Sequence, residues 1–216
     1  MIFVLIGAPG AGKGTQADLL VEHLGCYKIS TGDALRRQMA LGTQVGKEAE
    51  AFVSAGKLVP DEVLLGILKE ELNAHSDEVV LLDGYPRNLA QASTLESLEK
   101  SYPVNGAIHI HVDESELLKR LGGRRVCADC GETYHILHKA PAKEGVCDKC
   151  GGNVVTRTDD QEDKIRVRLG VYENQTAPVL NYYQDRKLYY KIDGTKSPTD
   201  VFAEIKGIVE GLKGSR

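Results

Sequence analysis

The sequence predicts an α/β protein in which helices cover both faces of a parallel β-sheet. Short runs of apolar and β-branched residues alternate with segments whose apolar residues recur every three or four positions. Polar motifs directly follow the strand-like runs, as expected when ligands bind at the carboxyl ends of parallel strands. The 216 residues are enough for a substantial core, and they suit one main domain with insertions or two small domains.

A glycine-rich turn joins the first strand to the first helix. The run Ile2–Ile6 is typical of a buried strand, and helical spacing begins at Lys13. Between them, residues 7–15 read GAPGAGKGT, which contains the GxxxxGK core of the P-loop, with Gly14 where Ser or Thr usually follows the lysine. Such glycines let backbone N–H groups face an anion at a helix start. The motif predicts nucleotide phosphate binding; the alternative is a plain glycine turn with an exposed lysine.

Composition and charge argue against two other classes of protein. The formal net charge of −4 gives no overall attraction for nucleic acid, and 42% hydrophobic residues is ordinary for a soluble globular protein. The opening segment 1–6 has no basic leader, is too short to cross a bilayer, and runs directly into the phosphate loop. We therefore expect a cytoplasmic protein with neither a nucleic-acid partner nor a membrane segment.

Four of the five cysteines form a metal-ligand pattern. Two CxxC pairs are separated by sixteen residues, and a glycine directly follows each pair. Two such pairs can bring four thiolates to one tetrahedral zinc ion, and the glycines permit the tight turns that this requires. A redox pair or disulfides are the alternatives, which the double pair and a cytoplasmic setting weaken. The predicted zinc ligands are Cys127, Cys130, Cys147 and Cys150. Cys26 is expected to be a buried residue that contributes only to packing.

Periodicity places the remaining elements. Further strands are predicted at 26–30, 79–82, up to Val112, and at 188–192, with helices between them, including one from 88 to 98. Side-chain caps are expected from Thr31 or Asp33, from Asp61 and from Asp113, because each precedes a helical pattern. The segment 31–59 reads as a small helical insert, and the segment 126–158 as a small insertion held by zinc.

Asp83 and a set of arginines are candidate groups for phosphate chemistry. Asp83 ends a strand beside the phosphate loop, where a carboxylate can organise Mg²⁺ through water ligands; capping the next turn is the alternative. Forked guanidinium groups can clamp two phosphate-bearing molecules and stabilise transition-state charge. For a single arginine, a solvated surface ion pair is at least as good an explanation. The arginines at segment ends and insertion borders are Arg36, Arg87, Arg120, Arg124, Arg157 and Arg168.

Over nearly its full length, the sequence closely resembles the adenylate kinases, specifically the long bacterial type whose lid binds zinc. Together the matching motifs are far more specific than the P-loop alone. They are GAPGAGKGT at 7–15, STGD at 30–33, GKLVPD at 56–61, LLDGYPR at 81–87, GGRR at 122–125, TRTDD at 156–160 and IDGTK at 192–196.

The resemblance implies a three-layer P-loop fold around a five-stranded parallel sheet. It implies a core formed by 1–29, 60–121 and 160–216, a helical monophosphate-binding insert at 30–59, and a zinc-bearing lid at 122–159. The implied reaction is reversible phosphoryl transfer from MgATP to AMP, which gives two ADP and maintains the balance of adenine nucleotides. The implied cofactors are Mg²⁺ and a structural Zn²⁺, and we expect a monomer.

Carried over position by position, the resemblance also implies two nucleotide sites. Gln91 would read the AMP adenine, while Asp159 and Asp160 would order the closed lid or cap the following helix. The ATP-binding residues would be Gly10, Ala11, Gly12, Lys13, Gly14, Thr15, Arg120, Arg124 and Lys196. The AMP-binding residues would be Thr31, Arg36, Lys57, Leu58, Val59, Gly84, Arg87, Gln91, Arg157 and Arg168. The residues around the transferring group would be Lys13, Arg87, Arg124, Arg157 and Arg168.

Two alternative functions stay open at this point. A nucleoside monophosphate kinase for UMP, CMP or GMP would share most of these motifs, although Gln91 and the long zinc lid favour AMP. A P-loop joined to a zinc ribbon would also suit a nucleic-acid-binding ATPase. Against it, the cysteine region contains acids as well as lysines and lacks an aromatic stacking array.

Overall fold

The computed structural model describes residues 1–97 and 102–214. A five-stranded sheet forms its centre, in the spatial order β2-β3-β1-β4-β8, and every neighbouring pair is parallel. This confirms the predicted sheet, with strand ends shifted by a residue or two. Counting all strands along the chain, its members are β1 (Ile2–Ile6), β2 (Tyr27–Ser30), β3 (Val80–Asp83), β4 (Val104–His111) and β8 (Tyr189–Asp193).

The described residues contain nine α-helices. None of those helices is both long and apolar enough to cross a lipid bilayer. A 3₁₀ helix at Thr158–Asp160 precedes the seventh α-helix, and a π-helix at Tyr172–Thr176 follows it. The fifth α-helix is predicted to end at Leu98, which lies outside the described residues. The helices are α1 (Lys13–Leu24), α2 (Thr31–Ala40), α3 (Gln44–Ser54), α4 (Asp61–Ala74), α5 (Leu89–Ser97), α6 (Glu114–Gly123), α7 (Glu162–Val171), α8 (Pro178–Asp185) and α9 (Pro198–Gly214).

Two hydrophobic cores lie on opposite faces of the central sheet. Successive side chains of β1 alternate between them, as strand geometry requires. Phe3 and Leu5 pack with apolar residues of α1, α6, α7 and α9, whereas Val4 and Ile6 pack with those of α4, α5 and α8. Helices therefore form a layer on each side of the sheet, and the carboxyl ends of its strands are left for the polar motifs.

The helical insert is a tight pair formed by α2 and α3. Gly42 turns the chain between them with φ 63°, and Thr43 caps α3 by accepting a hydrogen bond from the Gly46 amide at 3.1 Å. A Cβ at Gly46 would lie only 2.1 Å from the Gln38 carbonyl oxygen. The two helices therefore approach closely because position 46 has no side chain.

Of the residues predicted to cap α2, α4 and α6, only Asp113 lies at an N-cap position, and none of them makes a side-chain capping bond. Ser30 caps α2, because its hydroxyl accepts from the Asp33 amide while Thr31 Oγ1 donates to the Gly84 carbonyl. Asp61 is the first residue of α4, and its carboxylate instead accepts a hydrogen bond from a side chain across the fold. Asp113 lies at the N-cap position of α6, but its side chain makes no capping bond.

A second, three-stranded antiparallel sheet lies between α6 and α7. Its strands are β5 (Arg124–Cys127), β6 (Thr133–His135) and β7 (Val154–Val155), in the order β6-β5-β7. Its buried cluster consists only of Cys127, Tyr134 and Cys147, with Val154 packed against it. A cluster this small is a weak hydrophobic core, so the segment needs another source of stability.

Candidate active site

The phosphate loop and Asp83 lie side by side at the carboxyl edge of the sheet. Gly10 and Gly12 have φ values of 85° and 98°, which other residues rarely adopt. Lys13 curls back over the loop, where its Nζ donates to the Gly7 carbonyl at 2.8 Å and the Ala8 carbonyl at 3.1 Å. A Cβ at Gly14 would be 3.7 Å from Asp83 Oδ2, so the carboxylate borders the start of α1.

Lys13 has an unusual pKa for a lysine. Burial of its ammonium group lowers the pKa to about 8; Asp83 opposes this shift, while Arg87, Arg168 and Arg124 add to it. Desolvation and like charges both disfavour the protonated amine. The charge of an anion beside Lys13 would offset both effects and stabilise the ammonium form.

Gly84 organises the turn after β3. Its carbonyl accepts hydrogen bonds from Thr31 Oγ1 at 2.9 Å and from Arg87 Nε at 2.7 Å. Its φ is +86°, and an added Cβ would lie 2.7 Å from Arg87 Nη2. Glycine is therefore required on both conformational and steric grounds. Among the described residues, no group accepts a hydrogen bond from either terminal nitrogen of Arg87, so those nitrogens can bind an external anion.

Gln91 is fully buried and holds two parts of the site together. Its Oε1 accepts from the Arg87 amide at 2.7 Å, and its Nε2 donates to Asp61 Oδ1 at 2.6 Å. An amide nitrogen carries two hydrogens. The Asp61 bond uses one of them, which leaves the second for a ligand.

Two consecutive aspartates pair with three of the predicted arginines. Asp160, whose side chain is fully buried, binds Arg124 through both carboxylate oxygens at 2.7 and 2.5 Å and Arg168 at 2.8 Å. Asp159 binds Arg157 at 2.8 and 2.9 Å and Arg168 at 3.1 Å. Neither aspartate caps α7, whose N-cap residue is Gln161. These ion pairs hold the arginines of β5 and of the segment before α7 against α7 itself.

The charges of these residues shift one another's pKa values. Burial opposes ionisation of Asp159, but Arg157 and Arg168 outweigh it and lower the pKa of Asp159 to about 2. Burial, with Arg124 and Arg157 nearby, lowers the pKa of Arg168 to about 10. The cations outnumber the carboxylates Asp33, Asp83, Asp159 and Asp160 around them. We call the cations the cationic cluster: Lys13, Arg36, Arg87, Arg124, Arg157 and Arg168.

The helical insert contributes to the same region. Burial and the charge of Arg157 lower the pKa of Arg36, which is ion-paired with Asp33. Gly56, at the end of the insert, has φ +71°, and a Cβ there would lie 2.9 Å from Arg168 Cγ. Lys57, Leu58 and Val59 follow directly, and Val59 is buried in the core beside α4.

Arg120 and Lys196 lie apart from the cationic cluster. Arg120 donates to Glu116 on its own helix and to the Gly194 carbonyl, both at 3.0 Å, and so joins α6 to the loop after β8. Lys196, in that same loop, is exposed and pairs with Glu204 at 2.5 Å. The two residues predicted to flank the ATP base thus border one loop.

The four paired cysteines form a site whose geometry fits one zinc ion. Their Sγ atoms all lie within 4.8 Å of one another, with Cys127 to Cys150 at 3.5 Å and Cys130 to Cys147 at 3.6 Å. Zn–S distances of about 2.3 Å place tetrahedral ligands about 3.8 Å apart. Each pair turns through a following glycine with φ 76°. None of the five cysteines forms a disulfide, and Cys26 is buried in the core as predicted.

The sequence does not indicate the contacts that three further residues make in or near the site. Asp61 reads as a helix cap, yet it orients Gln91. Thr176 donates to the Arg87 carbonyl, and buried His109 contacts Tyr172 and Tyr189. Each contact joins positions at least 30 residues apart, so only the tertiary fold reveals it.

Comparison with known proteins identifies the family. The adenylate kinase family model matches residues 5–188. Adenylate kinase of Bacillus pumilus is 47% identical over 98% of this chain and 99% of its own length. Those of Bacillus subtilis and Archaeoglobus fulgidus are 44% and 43% identical over 99% of this chain and all of theirs. The chain therefore belongs to the adenylate kinase family of ATP:AMP phosphotransferases.

Proposed function

We propose that this protein transfers a phosphoryl group reversibly between MgATP and AMP, giving two ADP. The observation that carries the proposal is the convergence of the cationic cluster, from six separate segments, on the edge of the sheet that holds the phosphate loop. Lys13 and the phosphate loop would serve the triphosphate of one nucleotide, which leaves cations such as Arg36 and Arg87, from other segments, without a phosphate partner. A second phosphate-bearing substrate accounts for the rest, since donor and acceptor phosphates repel each other until cations screen them.

We assign the ATP phosphates to the segment 10–15 and Lys13. Backbone N–H groups at the start of α1 face an anion there, and the lysine adds a charge at the distal phosphates. Arg120 and the backbone near Lys196 would border the adenine, because they enclose the same loop after β8. Asp83, beside Gly14, would orient the water ligands of Mg²⁺; the ion itself supplies neutralisation of the triphosphate charge.

We assign AMP to the opposite side of the cluster. The free terminal nitrogens of Arg87 and the guanidinium of Arg36 would bind its phosphate, while Thr31, Gly84 and the segment 57–59 would form the walls of the site. The unused N–H of Gln91 would donate to a ring nitrogen of adenine. This preference for a hydrogen-bond acceptor on the base favours AMP over acceptors that present a donor at the same position.

Catalysis would come from positioning and charge stabilisation. The attacking oxygen of AMP is already anionic, so no general base is needed. Arg124, Arg157 and Arg168 are held by Asp159 and Asp160, which fixes their geometry before substrate binds. The small sheet that carries Arg124 would close over the substrates and exclude water, which suppresses hydrolysis.

We propose Zn²⁺ as the ion of the four-cysteine site, with a structural role. Four cysteine ligands leave no open coordination position for a catalytic water, and the neighbouring hydrophobic cluster is small. We also propose that the protein acts as a monomer, since one chain supplies every residue of the proposed site, and that it works in the cytoplasm.

A coupled assay with a panel of acceptors tests the function. Purified protein with MgATP receives AMP, UMP, CMP or GMP in turn, and diphosphate formation is followed. The proposal expects AMP to give the highest kcat/KM by at least about tenfold, roughly one lost hydrogen bond to a buried polar group. A better acceptor among the other three would make this a different monophosphate kinase. Hydrolysis of ATP stimulated by DNA or RNA would favour the nucleic-acid ATPase.

A further inference from the structure

The π-helix Tyr172–Thr176 lies between two arginines of the cationic cluster. Arg168 is on α7, one turn before Tyr172, and Arg87 is contacted by the last residue of the π-helix. A π turn contains one more residue than an α turn, which changes the side chains that face a given neighbour. Such turns are frequent at functional sites, and this one joins the segment after the small sheet to α8.

Thr176 makes the contact with Arg87. It is buried, and its Oγ1 donates to the Arg87 carbonyl at 2.8 Å. The Arg87 amide donates to Gln91 Oε1 at 2.7 Å, and Arg87 Nε donates to the Gly84 carbonyl at 2.7 Å. Three bonds thus fix the backbone of Arg87 on both sides and brace its guanidinium. Of these three, the Thr176 bond alone comes from beyond the turn after β3 and the helix that follows it.

The other end of the π-helix is fixed to the central sheet. The Tyr172 hydroxyl lies 3.3 Å from His109 Nε2, and His109 Nδ1 lies 2.8 Å from the Tyr189 hydroxyl. Burial, with help from His111, Lys191 and Lys13, lowers the pKa of His109 to about 4, so its ring is neutral at pH 7. A neutral imidazole has one donor and one acceptor, which suits two hydroxyl partners. The π-helix is therefore held between β4 and the Arg87 turn.

We propose that Thr176 is a positioning residue for Arg87, and that the π-helix places Thr176 where it makes this contact. The inference rests on the proposed role of Arg87 in binding the AMP phosphate. When the hydroxyl is removed, the Arg87 carbonyl loses its partner in a partly buried setting, and the turn that carries the guanidinium is free to shift. Binding of AMP is therefore weakened, while the phosphate loop keeps its structure.

Two substitutions separate the hydroxyl of Thr176 from its branched shape. Thr176→Val keeps the branched shape and removes the donor, whereas Thr176→Ser keeps the donor. We expect Thr176→Val to raise KM for AMP by about 3- to 10-fold, the effect of one hydrogen bond, with KM for MgATP changed less than about twofold. Thr176→Ser should restore KM for AMP to within about twofold of the parent enzyme, even if its melting temperature falls.

Three results would overturn the inference: equal KM values for AMP in the Val and Ser variants, equal losses toward both nucleotides, or a change in melting temperature alone. If Thr176→Val does not fold, Thr176→Ala gives a second hydroxyl-free variant for the same comparison with Ser. Arg87→Lys is measured in parallel. Unchanged KM for AMP in Arg87→Lys would refute the proposed role of Arg87 itself. A large rise there, with none in Thr176→Val, would refute only the role of Thr176.

Discussion

Asp61 accepts a hydrogen bond from the side-chain amide of Gln91 at 2.6 Å, across 30 residues of sequence. A carboxylate is an acceptor only, so it fixes the amide with its nitrogen toward Asp61 and its oxygen toward the Arg87 amide. The orientation of the proposed adenine reader is thus set by a residue that has no direct role with the base.

Asp61→Asn removes this control, because the new amide can accept or donate. We expect kcat/KM for AMP to fall about 3- to 10-fold and the preference for AMP over IMP, which carries an oxo group in place of the amine, to narrow by a similar factor. Steady-state kinetics with both acceptors measures this. Glu62→Gln, which removes a neighbouring exposed carboxylate on α4, is the control and should leave the preference unchanged. An undiminished preference for AMP over IMP in Asp61→Asn would contradict the proposal that Asp61 orients the Gln91 amide.

The pKa of Lys13 predicts an alkaline limit to ATP capture. Since the pKa is lowered to about 8 in the free site, the ammonium is lost as pH rises through 8. The kcat/KM for MgATP should therefore fall up to tenfold per pH unit above about pH 8, while kcat holds to higher pH because bound phosphate raises the pKa. Profiles from pH 6 to 10 at saturating AMP test this. The arginine side chain in Lys13→Arg stays charged over this range, so the residual kcat/KM of that variant should not fall above pH 8. A flat profile to pH 10 in the parent enzyme would refute the assignment.

The four-cysteine site predicts a separation between stability and catalysis. Removal of the metal, or Cys130→Ser, should lower the melting temperature by about 4 to 8 °C, corresponding to about 2 kcal/mol lost from a chain of this size. The initial rate at low temperature should stay within about threefold. Metal content per chain, calorimetry and initial rates are measured together, with Cys26→Ala, which keeps all four ligand cysteines, as the control for metal content and initial rate. Immediate loss of activity at low temperature, without unfolding, would contradict a purely structural ion.

The sheet, the phosphate loop and the cysteine site could be predicted because local patterns encode them. Ile2–Ile6 and the glycines of 7–15 determine a strand and a turn through their own conformational limits, and two CxxC pairs carry their ligand geometry with them. Helix caps were poorly predicted because they depend on distant partners as well as on the local pattern. Asp61 has the right residue type for a cap, but a distant amide competes for its carboxylate, and the sequence does not show that competitor.

Long-range polar contacts are what the sequence did not reveal. Ordering of the closed lid and capping of the following helix were equally good interpretations of Asp159 and Asp160, and only the fold shows that Asp160 pairs with Arg124 and Arg168. Thr176 carries no motif, because its partner is a backbone carbonyl that any residue at position 87 would offer. The roles of such residues depend on which two segments pack together in the fold, and the sequence of either segment alone does not show this.

The most direct test of two phosphate sites in one cationic cluster uses ADP alone. With Mg²⁺ and ADP as the sole nucleotide, we expect ATP and AMP to form in equal amounts, and we expect Lys13→Met or Arg87→Met to abolish their formation. ³¹P NMR or ion-exchange chromatography follows all three nucleotides. Stable ADP, or release of inorganic phosphate without matching ATP, would show that the protein does not join two nucleotides at one site.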